Sequence, residues 1–540
     1  MRGIGAKGAI VIGLAVVLVV GVIGGWILLR SNGNNKEPIV VGTTTTPTML
    51  DPGGAYDAGA WAVMSNLYQS LLTFSPGQEE PVPDAAEGCE FTDHELTVYR
   101  CTLRENLTFS NGVRITPEDV KFSVDRIKAM SDRAAEEAAD DSIPADEKFT
   151  YAGPASLLST LEATRVNGQD IIFELNEPDA TFPYVLAGST GAIVDSRSYE
   201  ELEPRNDGTV MGSGPYVLTA FEHNEYAELR PNPQYKGVFG VPQNSITIRY
   251  FVEEDDLLKA WENDELDVVD GKMPPSYLAG INPSNPEFRV SETIGSAIRV
   301  MAFNTDEGMP MSSKAARQAA ASSLDRNAIT RHVHAHTVEP LYSLIPVGFT
   351  GHGTPFYDNY RDPDPDELRT RMENAGLQVP VKFHLAYSRG AATHEEAELI
   401  KQQLEADGLF EVDVKYYDWS EEFIPGVFGA REFDAFLVGW RPDYPDPATY
   451  TDNILGPGDG LSTGFSSKAI DELISSTRQE SDRGRAATDY RALHELSSDN
   501  PPIIPIWQEK RFHLSTNDIT GIQYLSDNSA VWRLWELRRI

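Results

Sequence analysis

Cysteine is almost absent: two residues in 540. That excludes a thiolate metal cluster and a disulfide-dense scaffold. Positive charge is also scarce, with 45 Lys and Arg against 82 Asp and Glu, a formal net charge of −37. A chain this acidic does not bind nucleic acid or an anionic lipid surface through electrostatics. No repeat at solenoid period is present. What remains is ample: 41% hydrophobic and 9% aromatic residues, enough to fill a sizeable core and to exclude a disordered acidic tail.

The one long apolar run is at the front. Residues 8–29, GAIVIGLAVVLVVGVIGGWILL, carry no charge and are long enough to cross a bilayer core of about 30 Å as a helix. Arg2 and Lys7 precede it, and the bias favours export of everything downstream. A cleaved signal peptide would have an apolar stretch of about 7–15 residues and a small-residue cleavage site. Trp26-Ile27-Leu28-Leu29-Arg30 is a poor cleavage site, so a retained anchor is expected ahead of a cleaved one. A polar linker, Ser31 to Glu37, follows. The two cysteines suit an oxidising compartment. Cys89 and Cys101 flank a turn, Thr92-Asp93-His94-Glu95, and pair across two strands or stand as free buried thiols.

Downstream, strands and helices alternate. Residues 246–251 (ITIRYF), 382–387 (KFHLAY), 411–416 (EVDVKY) and 433–440 (FDAFLVGW) have strand patterns. Residues 57–72, 255–262 and 393–406 have helical spacing, and Thr116-Pro117-Glu118-Asp119 opens a further helix with a capping residue and a first-turn proline. The alternation predicts an α/β protein with largely parallel sheets.

Motifs of catalysis fail on context. Gly3-Ile4-Gly5-Ala6-Lys7-Gly8 follows no strand, so it implies no dinucleotide site. Gly460-Leu461-Ser462-Thr463-Gly464 matches a nucleophile-elbow pattern, but loop residues precede it where a strand is required. His332, His334 and His336 share one face only if the backbone is extended; otherwise they are ordinary histidines of a helix end or loop. Asn106-Leu107-Thr108 is a glycosylation sequon by rule.

Several blocks, in order, carry a resemblance. The stretch LRENLTFSNGVRITPEDVKFSVDRI, within residues 98–127, resembles a signature of the extracellular solute-binding proteins of family 5, the dipeptide-, oligopeptide- and nickel-binding proteins of ABC importers. Gly212-Ser213-Gly214-Pro215-Tyr216, Asn232-Pro233-Gln234-Tyr235, and Phe303-Asn304-Thr305 with Ala316-Arg317-Gln318-Ala319 are similar to further blocks of that family. So are Gly439-Trp440-Arg441-Pro442-Asp443-Tyr444-Pro445-Asp446-Pro447 and Asp499-Asn500-Pro501-Pro502-Ile503-Ile504-Pro505.

The resemblance implies an α/β, type II periplasmic-binding fold: two lobes with a hinge and an inserted extra domain, preceded by the N-terminal transmembrane helix. Its expected division is 1–37 for the anchor and linker, and 38–70, 205–297 and 498–540 for a discontinuous lobe I. The inserted domain takes 71–204 and lobe II takes 298–497. The implied function is capture, not catalysis: a peptide, peptide-like or other small-molecule solute is bound outside the cytoplasm and handed to ABC permease subunits with their ATPase. No cofactor and no metal are implied. In peptide-binding members an Asp in the segment matching Asp443 holds the ligand amine; the same residue can instead cap a Pro-rich turn. Trp440, Tyr444, Trp61, Tyr68 and Asn304 fall in blocks that approach the cleft in the family, or serve the core. Two readings stand beside this one: a tethered hydrolase using Ser462, and a signalling receptor of the same fold.

Overall fold

The computed structural model describes residues 37–282, 285–362, 364–388 and 393–540. The apolar run at residues 8–29 lies outside the described residues. Among the described residues no helix is long and apolar enough to cross a membrane.

The strand Ile39–Thr43 sets the first half of the molecule. Its Ile39 and Val41 are fully buried, and it runs parallel to Ile246–Tyr250 on one side and Val268–Asp270 on the other. Antiparallel strands Tyr226–Pro231 and Tyr216–Glu222 extend one edge. On the other edge Val268–Asp270 pairs antiparallel with Ile503–Thr516, which pairs antiparallel along its length with Phe288–Phe303. These two long strands carry the sheet into the second half. There Phe288–Phe303 pairs antiparallel with Ala435–Trp440, which runs parallel to Val381–Tyr387, itself parallel to Phe410–Tyr416. All belong to one 11-stranded sheet.

The expectation of largely parallel sheets is therefore corrected: the sheet is mixed, and its connecting strands are antiparallel. The strand–helix rhythm reads each crossover locally. It carries no signal for long strands whose partners lie far along the chain.

The long pair is where the two halves meet. Its register breaks between Ile294 and Ile298. Gln508 there donates to the Gly295 carbonyl at 2.7 Å, and the Tyr450 hydroxyl donates to the Ser296 carbonyl at 2.6 Å. A Cβ on Gly295 would fall 2.8 Å from Glu509 Oε2, so a side chain there would push that carboxylate aside. Beyond the break, Val300, Met301, Phe303, Ile503, Ile504 and Ile506 pack into the cores of the second half.

Between residues 86 and 175 a separate antiparallel sheet of four strands forms, in the order Ala86–Phe91, Val98–Leu103, Asp170–Leu175, Leu161–Asn167. Cys89 and Cys101 are register partners and form a disulfide, with Cα atoms 4.1 Å apart. The helix Pro117–Ala139 lies against this unit through Val120, Val124 and Ile127. It opens with a reciprocal cap: Asp119 N–H donates to Thr116 Oγ1 at 3.4 Å, and Thr116 N–H to Asp119 Oδ2 at 2.8 Å. Thr116→Ala is expected to lower stability by about 1 kcal/mol in urea denaturation, the usual cost of a lost N-cap. An unchanged midpoint would mean the first turn finds other acceptors.

The histidine cluster takes the helix-end alternative. His332 ends the helix Arg326–His332, and Ala335 and His336 have positive φ, so the backbone turns and no shared face forms. His334 Nε2 is 3.2 Å from Glu396 Oε1, and Arg299 Nε donates to Glu396 Oε2 at 2.9 Å. Burial opposes the charge on Glu396, but Arg299, His334 and Trp507 outweigh it and hold its carboxyl down to about 2. Among the described residues no group of three or more metal-ligating side chains is placed to hold an ion. Ser462 lies in a turn, its N–H donating to the Asp459 carbonyl at 2.7 Å, with no strand leading into it.

Candidate functional site

A small cavity of about 40 Å³ lies in the first half of the molecule, and Asp443 alone reaches its lining from the second half. Asp57 accepts from the Ala60 N–H at 2.8 Å and starts the helix Ala58–Leu67, whose Trp61 and Met64 form part of one wall. The helix is shorter than the 57–72 spacing predicts. Tyr68 leaves the helical backbone with φ −119° and ψ 154°, which points its ring into the same wall. Its hydroxyl is taken by the Leu50 carbonyl and the Tyr199 hydroxyl, each at 2.8 Å. Trp61 Nε1 donates to the Ala55 carbonyl at 3.1 Å. Both aromatics therefore present faces to the cavity and keep their polar atoms inside the protein.

The opposite side comes from the turn after the strand Ala435–Trp440. Two aspartates lie three residues apart there, with opposite fates. Asp446 is fully buried and receives Arg483 through both Nε at 2.7 Å and a terminal nitrogen at 2.8 Å, plus the Tyr490 hydroxyl at 3.1 Å. Its Oδ1 also accepts the Ala448 N–H at the start of the helix Ala448–Leu455. Asp446 is a structural ion pair. Asp443 has only neutral partners. Thr449 Oγ1 and Asn453 Nδ2 approach its Oδ2 at 3.4 Å each from that helix. Burial dominates and pushes its carboxyl up to about 6, against the pull of the Thr449 and Asn453 hydrogen bonds. Asp443 lines the cavity.

The sequence-predicted residues thus divide. Asp443, Trp61 and Tyr68 line one cavity. Tyr444 is buried beside it, its ring 6.2 Å from that of Tyr184, plugging the seam. Trp440 and Asn304 are not among the cavity lining. Trp440 Nε1 donates to the Thr449 carbonyl at 3.0 Å, and Asn304 Nδ2 to the Arg431 carbonyl at 2.9 Å, so one braces the helix Ala448–Leu455 and the other a loop. One residue of the site was not singled out from the sequence: Asp84, buried, lining the cavity, and bonded by Val238 N–H at 3.0 Å and Gln69 Nε2 at 3.2 Å. It sits in no pattern that would have marked it.

Ion pairs hold the seam shut beside the cavity. Arg478 pairs with Asp452 at 2.8 Å within the second half and with Glu177 at 2.9 Å across to the first, while its carbonyl accepts the Ala180 N–H. Chemically, the site offers a half-buried carboxylate with no cationic partner among its bonds, beside aromatic walls. That arrangement holds a cationic group and gives it apolar flanks.

Comparison with known proteins fits this geometry. The family model for the middle region of bacterial extracellular solute-binding proteins, family 5, matches residues 80–462. The periplasmic murein peptide-binding protein MppA of Escherichia coli is 23% identical over 486 residues, 88% of each chain. Di/tripeptide-binding protein 2 of Pseudomonas aeruginosa is 23% identical over 514 residues, 90% of this chain and 92% of its own. Among solved structures, the periplasmic binding protein DppA of Helicobacter pylori in complex with the peptide STSA superposes with a TM-score of 0.76 at 17% identity, covering 93% of this chain and 98% of that one.

Proposed function

Because the chain belongs to the bacterial extracellular solute-binding proteins of family 5, we propose that it captures peptides or peptide-like solutes outside the cytoplasm by closing a hinge and delivers them to an ABC permease driven by its ATPase. One observation carries the reading: Asp443 is a half-buried carboxylate that reaches a cavity of the other half, and its hydrogen-bond partners Thr449 and Asn453 are neutral. A free ammonium is the group such a site needs, since a buried charge is costly until it is paired. The relatives named above are peptide-binding by their own description, which points the same way. Main-chain hydrogen bonds along the cleft would hold an extended peptide without reading its side chains.

In this reading 38–70, 205–297 and 498–540 form lobe I, 71–204 the inserted domain and 298–497 lobe II. The strand Ile503–Thr516 is shared between the lobes, and bending falls at the register break near Gly295. The apolar run at residues 8–29 would keep the receptor at the membrane beside its permease. Asp443 is the amine anchor, and Trp61 and Tyr68 are apolar walls.

Native mass spectrometry of the full chain in mild detergent, followed by identification of the released ligand, tests this. A mixture of short peptides is expected. A single non-peptide compound would keep the capture role and remove the peptide assignment together with the amine role of Asp443.

A further inference from the structure

We infer that the receptor selects a ligand with two cationic groups, a peptide whose first residue carries a basic side chain: its α-ammonium goes to Asp443 and its side-chain cation to Asp84. The inference rests on the capture reading above and adds a side-chain requirement to it. The lining of the cavity carries the argument. It includes two carboxylates, Asp84 and Asp443, and among the described residues no lysine, arginine or histidine. Trp61, Tyr68 and Phe239 add aromatic rings. A space lined by two acids and no base repels a ligand carboxylate and suits cations, which the ring faces attract as well.

Asp84 is 4% exposed and follows the short strand Val82–Pro83, which pairs antiparallel with Leu72–Thr73. Its own N–H donates to the Leu71 carbonyl at 3.0 Å, which fixes the backbone against the first half. Oδ1 accepts the Val238 N–H at 3.0 Å and the Tyr235 hydroxyl at 3.4 Å. The loop that supplies them passes so close that a Cβ on Gly237 would fall 2.3 Å from Oδ1. Oδ2 accepts only Gln69 Nε2, at 3.2 Å. An ionised carboxylate has about four acceptor positions, so Oδ2 keeps room for one more donor. All three donors are neutral. Arg104 is the cation whose field reaches Asp84, but its Nε donates to the Ala86 carbonyl at 2.8 Å, and among the described residues no cation is ion-paired with Asp84. Burial raises the Asp84 carboxyl, as it raises that of Asp443.

Asp84 belongs to the first half of the molecule and Asp443 to the second, so a dication spans them and is paired at both ends only when the halves meet on it. Main-chain hydrogen bonds ignore side chains, but this pocket does not. A neutral first side chain leaves Asp84 without a counter-charge, and an acidic one adds a third carboxylate to a space that holds no base. The free space of about 40 Å³ suits the charged head of one side chain and not a second residue.

The test is calorimetry on the full chain in mild detergent with three tripeptides that differ only at the first residue: Lys-Ala-Ala, norleucine-Ala-Ala and Glu-Ala-Ala. Norleucine has the length of lysine without its charge. Lys-Ala-Ala is expected to bind roughly tenfold or more tighter than norleucine-Ala-Ala, the range for a hydrogen bond to a charged group, and Glu-Ala-Ala weakest of the three. Asp84→Asn should bring Lys-Ala-Ala to within about twofold of norleucine-Ala-Ala, and leave norleucine-Ala-Ala itself within about twofold of wild type, because Asp84 acts only on the side-chain charge. Equal affinities for lysine and norleucine in the wild type, or a preference that survives Asp84→Asn, would overturn the inference and leave Asp84 a residue that ties the 235–238 loop down. If Asp84→Asn does not fold, the ratio of lysine to norleucine in the wild type decides alone. Cadaverine, a diamine with no carboxylate, separates the two readings. If no tripeptide binds but cadaverine does, and Asp84→Asn weakens it, peptide capture fails and the pocket for two cations stands. If cadaverine fails as well, both are rejected.

Discussion

Asp51→Ala is expected to cost about 3–5 kcal/mol of stability, the range for breaking a buried ion pair by removing one partner. Asp51 and Arg126 have side chains 0% and 1% exposed, and they meet in a two-pronged pair at 2.6 and 3.0 Å. Asp51 also accepts the Gly53 N–H at 2.8 Å and the Arg205 N–H at 2.6 Å. Arg126 spends its other donors on the carbonyls of Glu200 at 2.9 Å and Glu203 at 3.0 Å. One contact set thus ties the loop after the first strand, the helix Pro117–Ala139 and the 200–205 segment together. A Cβ on Gly53 would lie 2.3 Å from an Arg126 nitrogen, so the guanidinium fits only because residue 53 has no side chain. With Asp51 gone, a fully buried guanidinium keeps carbonyls but no counter-charge. Arg126→Lys would not preserve the site either, because an ammonium cannot reproduce the planar fork. Urea denaturation of the ligand-free protein measures the loss, and a change under about 1 kcal/mol would mean the pair relaxes or hydrates on mutation. Replacing both residues by apolar side chains of similar volume is expected to cost less than Asp51→Ala alone, since no buried charge is then orphaned.

Arg126 shows what the sequence exposes and what it withholds. It stands in the stretch that carries the family resemblance, yet its partner Asp51 lies in a separate segment and no local pattern joins them. Elements whose signal is local were legible: the strands at 246–250, 381–387 and 410–416, the helix 393–405 and the Thr116 cap are within a residue or so of the patterns that predict them. The long strands Phe288–Phe303 and Ile503–Thr516 were not. Gly295 and Ser296 break alternation in one, Pro505 interrupts the other, and the pairing that makes them strands is between distant segments. The site divides on the same line. Asp443 was marked by its Pro-rich block. Asp84 was not, because a lone aspartate becomes a site residue only when distant segments, Gln69 and Val238, close around it. Trp440 and Asn304 erred the other way: membership in a family block does not say whether a polar atom faces ligand or backbone, and here both face protein backbone.

Asp443→Asn should weaken binding of a free-amine peptide by about 2–5 kcal/mol, since the ligand ammonium would be buried against a neutral amide of the same shape. The hydrogen bonds from Thr449 and Asn453 do not replace the lost charge. The same residue sets a pH dependence whose sign is fixed by the upward shift of its carboxyl to about 6. Without ligand, Asp443 is protonated in the folded protein between its ordinary range and about 6, where the unfolded chain is already ionised. Its contribution to stability is therefore fully present below the ordinary carboxylate range and is lost as pH rises through 6. Ligand binding runs in the opposite sense. An ammonium needs the carboxylate, so binding below about pH 6 must first release a proton, and the dissociation constant is expected to rise about tenfold per unit as pH falls below that point. Above it, affinity should be flat until the peptide amine itself begins to lose its proton. Asp443→Asn has no proton to release and should show no slope in the acid window. Calorimetry of one peptide from pH 5 to 8 in two buffers of different ionisation heat reads both the affinity and the released proton. A wild-type affinity that stays level from 8 to 5, with no proton released, would take Asp443 out of the site. A slope that persisted in Asp443→Asn would assign the titration to another group, with Asp84 the first candidate because burial raises its carboxyl too and it lines the same cavity.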